Sequence, residues 1–364
     1  MGALLKLTVL GVLLGFGVLL GFLVERTVRF LRRSGFYKEV EPVHLPNCQL
    51  IKGMEYGSED IHLLPSGLAF ASTGIKMPPM KSFAPDRPAE ILLIDLNEET
   101  IHPISLPISG GFDVSSLNPH GLSAYTDEKD GTVYLFVVNH PPPLYKTDIE
   151  IFRFDAENKV LVHWKRITHP SLQSVNDVVA VGPESFYATN DFYFEKMIMR
   201  FLEMFFGCTW TNVVYYSPGD VREVASGFHN ANGIAMSHDR KFIYVADLTA
   251  HTINVFQKHA NWSLSYVKAV DLDTLVDNLF VDPETGDVWT GAQPNLYKMF
   301  NYKEEDPPGS EVIRVQNMHS ERPIVTRVYV DDGSVIQGSS VAVLYRKKLL
   351  IGTVFHRALY CRLE

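Results

Sequence analysis

Eight polar residues stand at the heads of short apolar strands: Glu59, Asp60, His120, Asn176, Asp177, Asn232, Asp277 and Asn278. All except the histidine offer oxygen donors. Carboxylates and amides in high number, without a Cys or His cluster, suit Ca²⁺ far better than zinc. Adjacent donors at Glu59-Asp60, Asn176-Asp177 and Asp277-Asn278 also leave room for two stacked ions. Any one such pair would be explained by turn capping; their recurrence in register points to a metal. Among 13 histidines, His120 and His140 stand apart, because they begin and end one stretch of chain. Calcium acidifies bound water less than zinc does, so hydrolysis at neutral pH would gain from a nearby imidazole base. His120 is the candidate by position. No Gly-X-Ser-X-Gly elbow, Walker loop, Gly-X-Gly-X-X-Gly fingerprint or zinc helix is visible.

The elements that position these residues form a repeat. A polar head, an apolar strand, a turn and a second apolar strand recur six times, beginning at Glu59-Asp60, His120-Gly121, Asn176-Asp177, Asn232-Gly233, Asp277-Asn278 and Ser339-Ser340, at intervals of 46 to 62 residues. Alternating apolar stretches lie between, such as Ile91 to Leu96, Ile149 to Phe154 and Thr252 to Phe256. About four strands per repeat and few helices predict an all-β fold, a six-bladed β-propeller. A β-sandwich would not explain one phrase returning regularly. Equivalent strand ends in a propeller approach one axis, so the polar heads must converge there.

Composition sets further limits. With 21% charged and 12% aromatic residues over 364 positions, the chain can bury a substantial core. A formal net charge of -9 offers no basic field, which argues against a nucleic-acid partner. Leu4 to Val24 is almost purely apolar, long enough to span a bilayer, and no small-residue cleavage site follows it. Residues 1–33 therefore read as a retained hydrophobic anchor helix and 34–364 as the propeller; a cleaved signal peptide is the alternative. Arg26, Arg29, Arg32 and Arg33 would by the positive-inside rule place the propeller in the cytosol. The cysteines point the other way. A bridge between Cys48 and Cys361 would tie the two ends of the propeller together, locking the last blade to the first, with a stabilisation on the order of 5 kcal/mol in the chain-entropy model. Such a bridge needs an oxidising compartment, so the protein is expected to be secreted or membrane-anchored with the propeller lumenal or extracellular. Asn261-Trp262-Ser263 is an N-glycosylation sequon at Asn261, and Cys208 reads as a small buried hydrophobe. Tyr193 to Trp210 reads as an inserted amphipathic helix, either core packing or a cap on the propeller mouth that meets a lipid membrane or lipoprotein surface.

From about Leu45 to Leu363 the chain resembles the paraoxonases, through phrases such as Gly57-Ser58-Glu59-Asp60, Phe112-Asp113-Val114-Ser115-Ser116, Asn118-Pro119-His120-Gly121, Leu275-Val276-Asp277-Asn278 and Val281-Asp282-Pro283-Glu284-Thr285-Gly286-Asp287. The resemblance implies a calcium-dependent hydrolase of lactones and aryl esters, with phosphotriester cleavage as a side activity. It implies a catalytic calcium on Glu59, Asn176, Asn232, Asp277 and Asn278, and a structural one on Asp60, Asp177 and a backbone carbonyl near Leu122. His120 would be the general base, with His140 supporting it and Asp191 close by. Two departures bear on substrate. Gly291-Ala292-Gln293-Pro294-Asn295 stands where the family usually has Gly-Cys-His-Pro-Asn, and Asn230 stands where an aromatic wall residue is usual. A hydrolase of sugar lactones is one rival, needing a more polar pocket than Phe192, Phe194 and Met197 suggest. A non-catalytic, calcium-stabilised propeller that binds lipid or a protein partner is another.

Overall fold

The computed structural model describes residues 2–77 and 87–363. Six antiparallel sheets succeed one another along the chain, each entered at its inner strand and left at its outer one. The inner strands are Ile61–Leu63, Pro119–Thr126, Val175–Ala180, Ala231–Met236, Leu275–Val281 and Ser339–Tyr345. The second sheet carries a fifth strand, Ile108–Ser109, paired in parallel with its outer edge. The last sheet takes its outermost strand from the start of the propeller: Cys48–Leu50 pairs with Leu359–Arg362, with Cys48 directly opposite Cys361. These two cysteines are bonded and Cys208 is free. This is the six-bladed propeller, closed by its own termini, that the repeat implies.

Period-2 alternation builds the core. In the strand Leu68–Thr73, Ala69 and Ala71 pack toward the sixth blade with Val341, Val343 and Leu350, whereas Phe70 packs toward the second with Leu135, Val137 and Phe152. Each blade is apolar on both faces, so every neighbouring pair shares one buried cluster and no face is left for water.

The polar heads occupy the places where the inner strands leave their ladders. Register breaks between Pro119 and Leu122, Val175 and Val178, Ala231 and Ile234, Val276 and Leu279, and Ser339 and Val341. A bulge of this kind re-aims side chains out of the pleat. Gly121 and Gly233 permit the crowding that follows, since a Cβ on Gly121 would lie 2.4 Å from Asp177 Oδ1 and one on Gly233 would lie 2.6 Å from the Asp277 carbonyl.

Three α-helices lie among the described residues: α1 (Gly2–Arg33), α2 (Met197–Phe206) and α3 (Leu296–Phe300). The apolar part of α1 is exposed along its length, while its last turns meet the propeller. Arg26 Nη1 donates to the Phe206 carbonyl at 2.9 Å, Phe30 packs on Phe201 and Phe205, and His251 Nε2 donates to the Arg33 carbonyl at 2.8 Å. The inserted helix α2 is shorter than the expected span of 193 to 210. Glu203 accepts bonds from the Tyr193 and Phe194 amides, holding that stretch as a turn, and left-handed Gly207 ends the helix.

Candidate active site at the propeller axis

The axial residues form a linked set. Asn278 Nδ2 donates to Glu59 Oε1 at 3.0 Å and to the Glu59 carbonyl at 2.9 Å. Glu59 Oε1 lies 3.4 Å from His120 Nε2, and the Asn176 amide nitrogen lies 3.5 Å from that same ring atom. Asn232 hydrogen-bonds to Asp277, whose Oδ2 accepts from Gln293 Nε2. All of these side chains are buried. Yet Glu59 Oε2, Asn176 Oδ1, Asn232 Oδ1 and Asn278 Oδ1 have no hydrogen-bond partner. An acceptor oxygen buried without a donor costs about 1–3 kcal/mol. Four of them, contributed by four blades, make a surface that lacks positive charge.

The carboxylates give the same reading. Burial, and then the charge of Glu59, push the Asp277 carboxyl well above its ordinary range. Burial and Glu59 likewise push Asp60 up to about 7. Burial and Asp60 raise Asp177 well above it. Among the described residues no three His, Cys, Asp or Glu side chains group closely enough to hold a metal by themselves. Asparagine oxygens complete the donor set, and that chemistry fits a hard cation of high coordination number.

Asp60 and Asp177 play a second part. Asp60 Oδ1 accepts from Ile61 N at 2.8 Å within its own blade, and Oδ2 accepts from Leu122 N at 2.7 Å in the next. Asp177 repeats the pattern with Val178 N and Ile234 N, at 2.7 and 2.8 Å. Each carboxylate thus pins two blades together at the axis. Leu122 reaches Asp60 through its amide.

His120 and His140 are in contact, Nδ1 to Nε2 at 3.1 Å. Burial and the charge of His120 hold His140 well below the usual imidazole range, so it stays neutral, and its hydrogen bond to the Val175 carbonyl uses its other nitrogen. That fixes the tautomer. His140 Nε2 must accept from His120 Nδ1–H, which leaves a lone pair on His120 Nε2 beside Glu59 and Asn176 in the neutral form of that ring. Burial alone would lower His120, but Glu59, Asp191 and Asp60 outweigh it and raise the ring. Asp191 lies within the electrostatic reach of His120 and accepts a bond from Ser174 Oγ, itself bonded to Arg200 Nη2 of α2 at 2.9 Å.

Several contributors carry no repeat signature. Gln293 meets Asp277 within the fifth blade, Ser174 and Arg200 meet Asp191 within the third, and Asn230, whose Nδ2 donates to the Asp191 carbonyl at 2.6 Å, reaches it from the fourth. Leu248, Leu275, Leu296, Met299, Val354 and Phe355 form an apolar cluster at the same end of the propeller. Leu275 and Val354 could have been found from the repeat, since they flank Asp277 and Thr353. Of the apolar residues expected at the pocket, Phe192 lies under Arg200, Phe194 packs on Tyr193 and Trp210, and Met197 is exposed.

The profile of the Arylesterase family matches residues 39–363. The chain is 59% identical over 347 residues to serum paraoxonase/arylesterase 2 of Gallus gallus, covering 95% of this chain and 97% of that protein. It is 53% identical over 361 residues to serum paraoxonase/lactonase 3 of Oryctolagus cuniculus, covering 99% of each. Among solved structures, a luciferin-regenerating enzyme superposes with a TM-score of 0.53 at 11% identity, covering 88% of this chain and 95% of that one, a likeness of fold.

Proposed function

The chain belongs to the arylesterase family, and from that premise we propose that it is a calcium-dependent hydrolase of lactones and aryl esters working at the propeller axis. An esterase or lactonase activity follows from the family; the metal, the residue roles and any phosphotriester cleavage are our reading. The observation that carries it is the set of four buried, partnerless oxygens on Glu59, Asn176, Asn232 and Asn278, next to Asp277 and His120. Those five oxygen-bearing residues would hold a catalytic calcium, and Asp60, Asp177 and a backbone carbonyl near Leu122 a structural one. When bound, calcium supplies polarisation of the ester carbonyl and stabilisation of charge developing on its oxygen. The protein's own part is proton transfer. His140, kept neutral by burial and oriented by Val175, holds His120 in the tautomer whose Nε2 can take a proton from an attacking water. Asp191, tethered through Ser174, stabilises the imidazolium that results. The apolar cluster from Leu248 to Phe355 gives the acyl part of a lactone a dry wall, which supports aliphatic lactones over sugar lactones.

Turnover of aliphatic lactones, aryl esters and phosphotriesters with and without chelator tests this reading. Lactone and aryl-ester hydrolysis is expected to vanish in EGTA and return with Ca²⁺ but not Mg²⁺, whose small octahedral shell a wide carboxylate and amide ring does not match. Hydrolysis indifferent to chelation would refute the metal assignment. A chelator-sensitive melting temperature without any turnover would favour the non-catalytic propeller.

The exposed apolar length of α1 supports an anchored protein, and exposed Ile198, Phe201 and Trp210 around α2 support contact with a lipid surface at the mouth. The Cys48–Cys361 bond supports an oxidising compartment. So does the exposed turn at Asn261, which leaves the sequon accessible for a glycan. Three of the four arginines that would argue for the cytosol are engaged: Arg26 with Phe206, Arg29 with Glu25, and Arg33 against Gly207. Deleting residues 1 to 24 removes no blade strand and no cysteine. Liposome flotation is expected to fall sharply while the calcium requirement and lactone turnover persist. Equal flotation of the truncated and full-length forms would sink the anchoring idea.

A further inference from the structure

Gln293 is the last residue of the strand Val288–Gln293, next to the inner strand of the fifth blade, and it is buried. Its Nε2 donates to Asp277 Oδ2. The backbone on either side is held in place. Leu275 pairs with Gln293 in the ladder, the Pro294 carbonyl packs so closely on left-handed Gly35 that a Cβ there would lie 2.0 Å away, and Leu296 N donates to the Ser34 carbonyl at 2.9 Å. The amide therefore reaches Asp277 from a seat with little freedom. A carboxylate with one oxygen held by a fixed donor loses its freedom to rotate, so its remaining lone pairs face a cation in set directions.

We propose that Gln293 is a positioning residue that presents Asp277 to the axial cation in a single orientation. The inference rests on the calcium reading of the site. An orienting hydrogen bond of this kind affects metal affinity and turnover about 10- to 100-fold. Glutamine is a donor that does not titrate, so it can hold this bond at any pH at which the fold survives. Nothing about it requires Gln293 to touch substrate.

The test is a calcium titration of full-length protein in EGTA buffer, followed by melting temperature and by lactone kinetics, on Gln293→Leu and Gln293→His. Gln293→Leu keeps volume and removes the donor; its apparent calcium Kd is expected to rise about 10- to 100-fold, with kcat falling and KM little changed. Gln293→His returns an N–H and is expected to restore affinity to within about threefold. Melting in EGTA alone, equal for wild type and both variants, shows that the fold is intact. A wild type that responds to calcium and a Gln293→Leu variant that responds identically overturn the positioning role alone. Failure of Gln293→His to restore affinity also overturns it, since packing rather than the hydrogen bond would then be what Gln293 supplies. A wild type whose melting is indifferent to calcium overturns the metal reading together with this one.

Discussion

Asp277→Ala or Asn232→Ala is expected to abolish hydrolysis while the propeller stays folded. Both residues sit in bulges whose side chains make no ladder bond, so truncating them leaves every strand pairing intact. Asn232 carries one of the partnerless oxygens, and Asp277 is its hydrogen-bonded neighbour on the adjacent blade. Removing either takes away an oxygen that the fixed inner strands cannot replace. The loss in kcat/KM should exceed the roughly 10- to 100-fold typical of an outer partner of a metal ligand. Chelator-buffered calcium binding and lactone turnover, measured on the same preparations, decide the matter. Unchanged calcium affinity with full activity in either variant means that the ring at the axis is not the metal site.

The second large effect is on stability. Cys48→Ser combined with Cys361→Ser opens a loop spanning 313 residues, which in the chain-entropy model costs on the order of 5 kcal/mol. The bridge lies between two strands already in register, so the loss falls mainly on the unfolded chain's freedom and the site geometry should survive. Urea unfolding of the double variant is expected to show a much lower midpoint with near-normal turnover at low temperature. A midpoint within the scatter of wild type would mean that strand pairing alone closes the ring.

The six blades were legible because each repeat writes its own phrase, and the convergence of the polar heads because they stand at the same place in each repeat. Cys48 and Cys361 were legible from their places at the two ends of the propeller. Less was readable where contacts join distant parts of the chain. The pairing of Ile108–Ser109 with the second blade and the short helix Leu296–Phe300 have too few residues to show a period. The helix expected from Tyr193 to Trp210 was overextended because hydrophobic pattern ignores Glu203, whose carboxylate ties the Tyr193 and Phe194 amides into a turn. The roles of Gln293, Ser174 and Arg200 depend on the register of neighbouring strands and on where the inserted helix α2 folds back over the third blade, which the repeat phrase does not encode.

Ring closure by the first strand has a temporal consequence. Cys48–Leu50 leaves the ribosome early but cannot pair until Leu359–Arg362 exists. At 5–20 residues per second the interval between the two is roughly 15 to 60 s. In an oxidising lumen the Cys48 thiol would wait throughout it with one competitor, Cys208, which emerges about halfway. Burial beside α2 pushes the Cys208 thiol up, depleting the thiolate that would attack. The half-buried Cys208 is thus the weaker competitor for Cys48, which favours the bridge between Cys48 and Cys361.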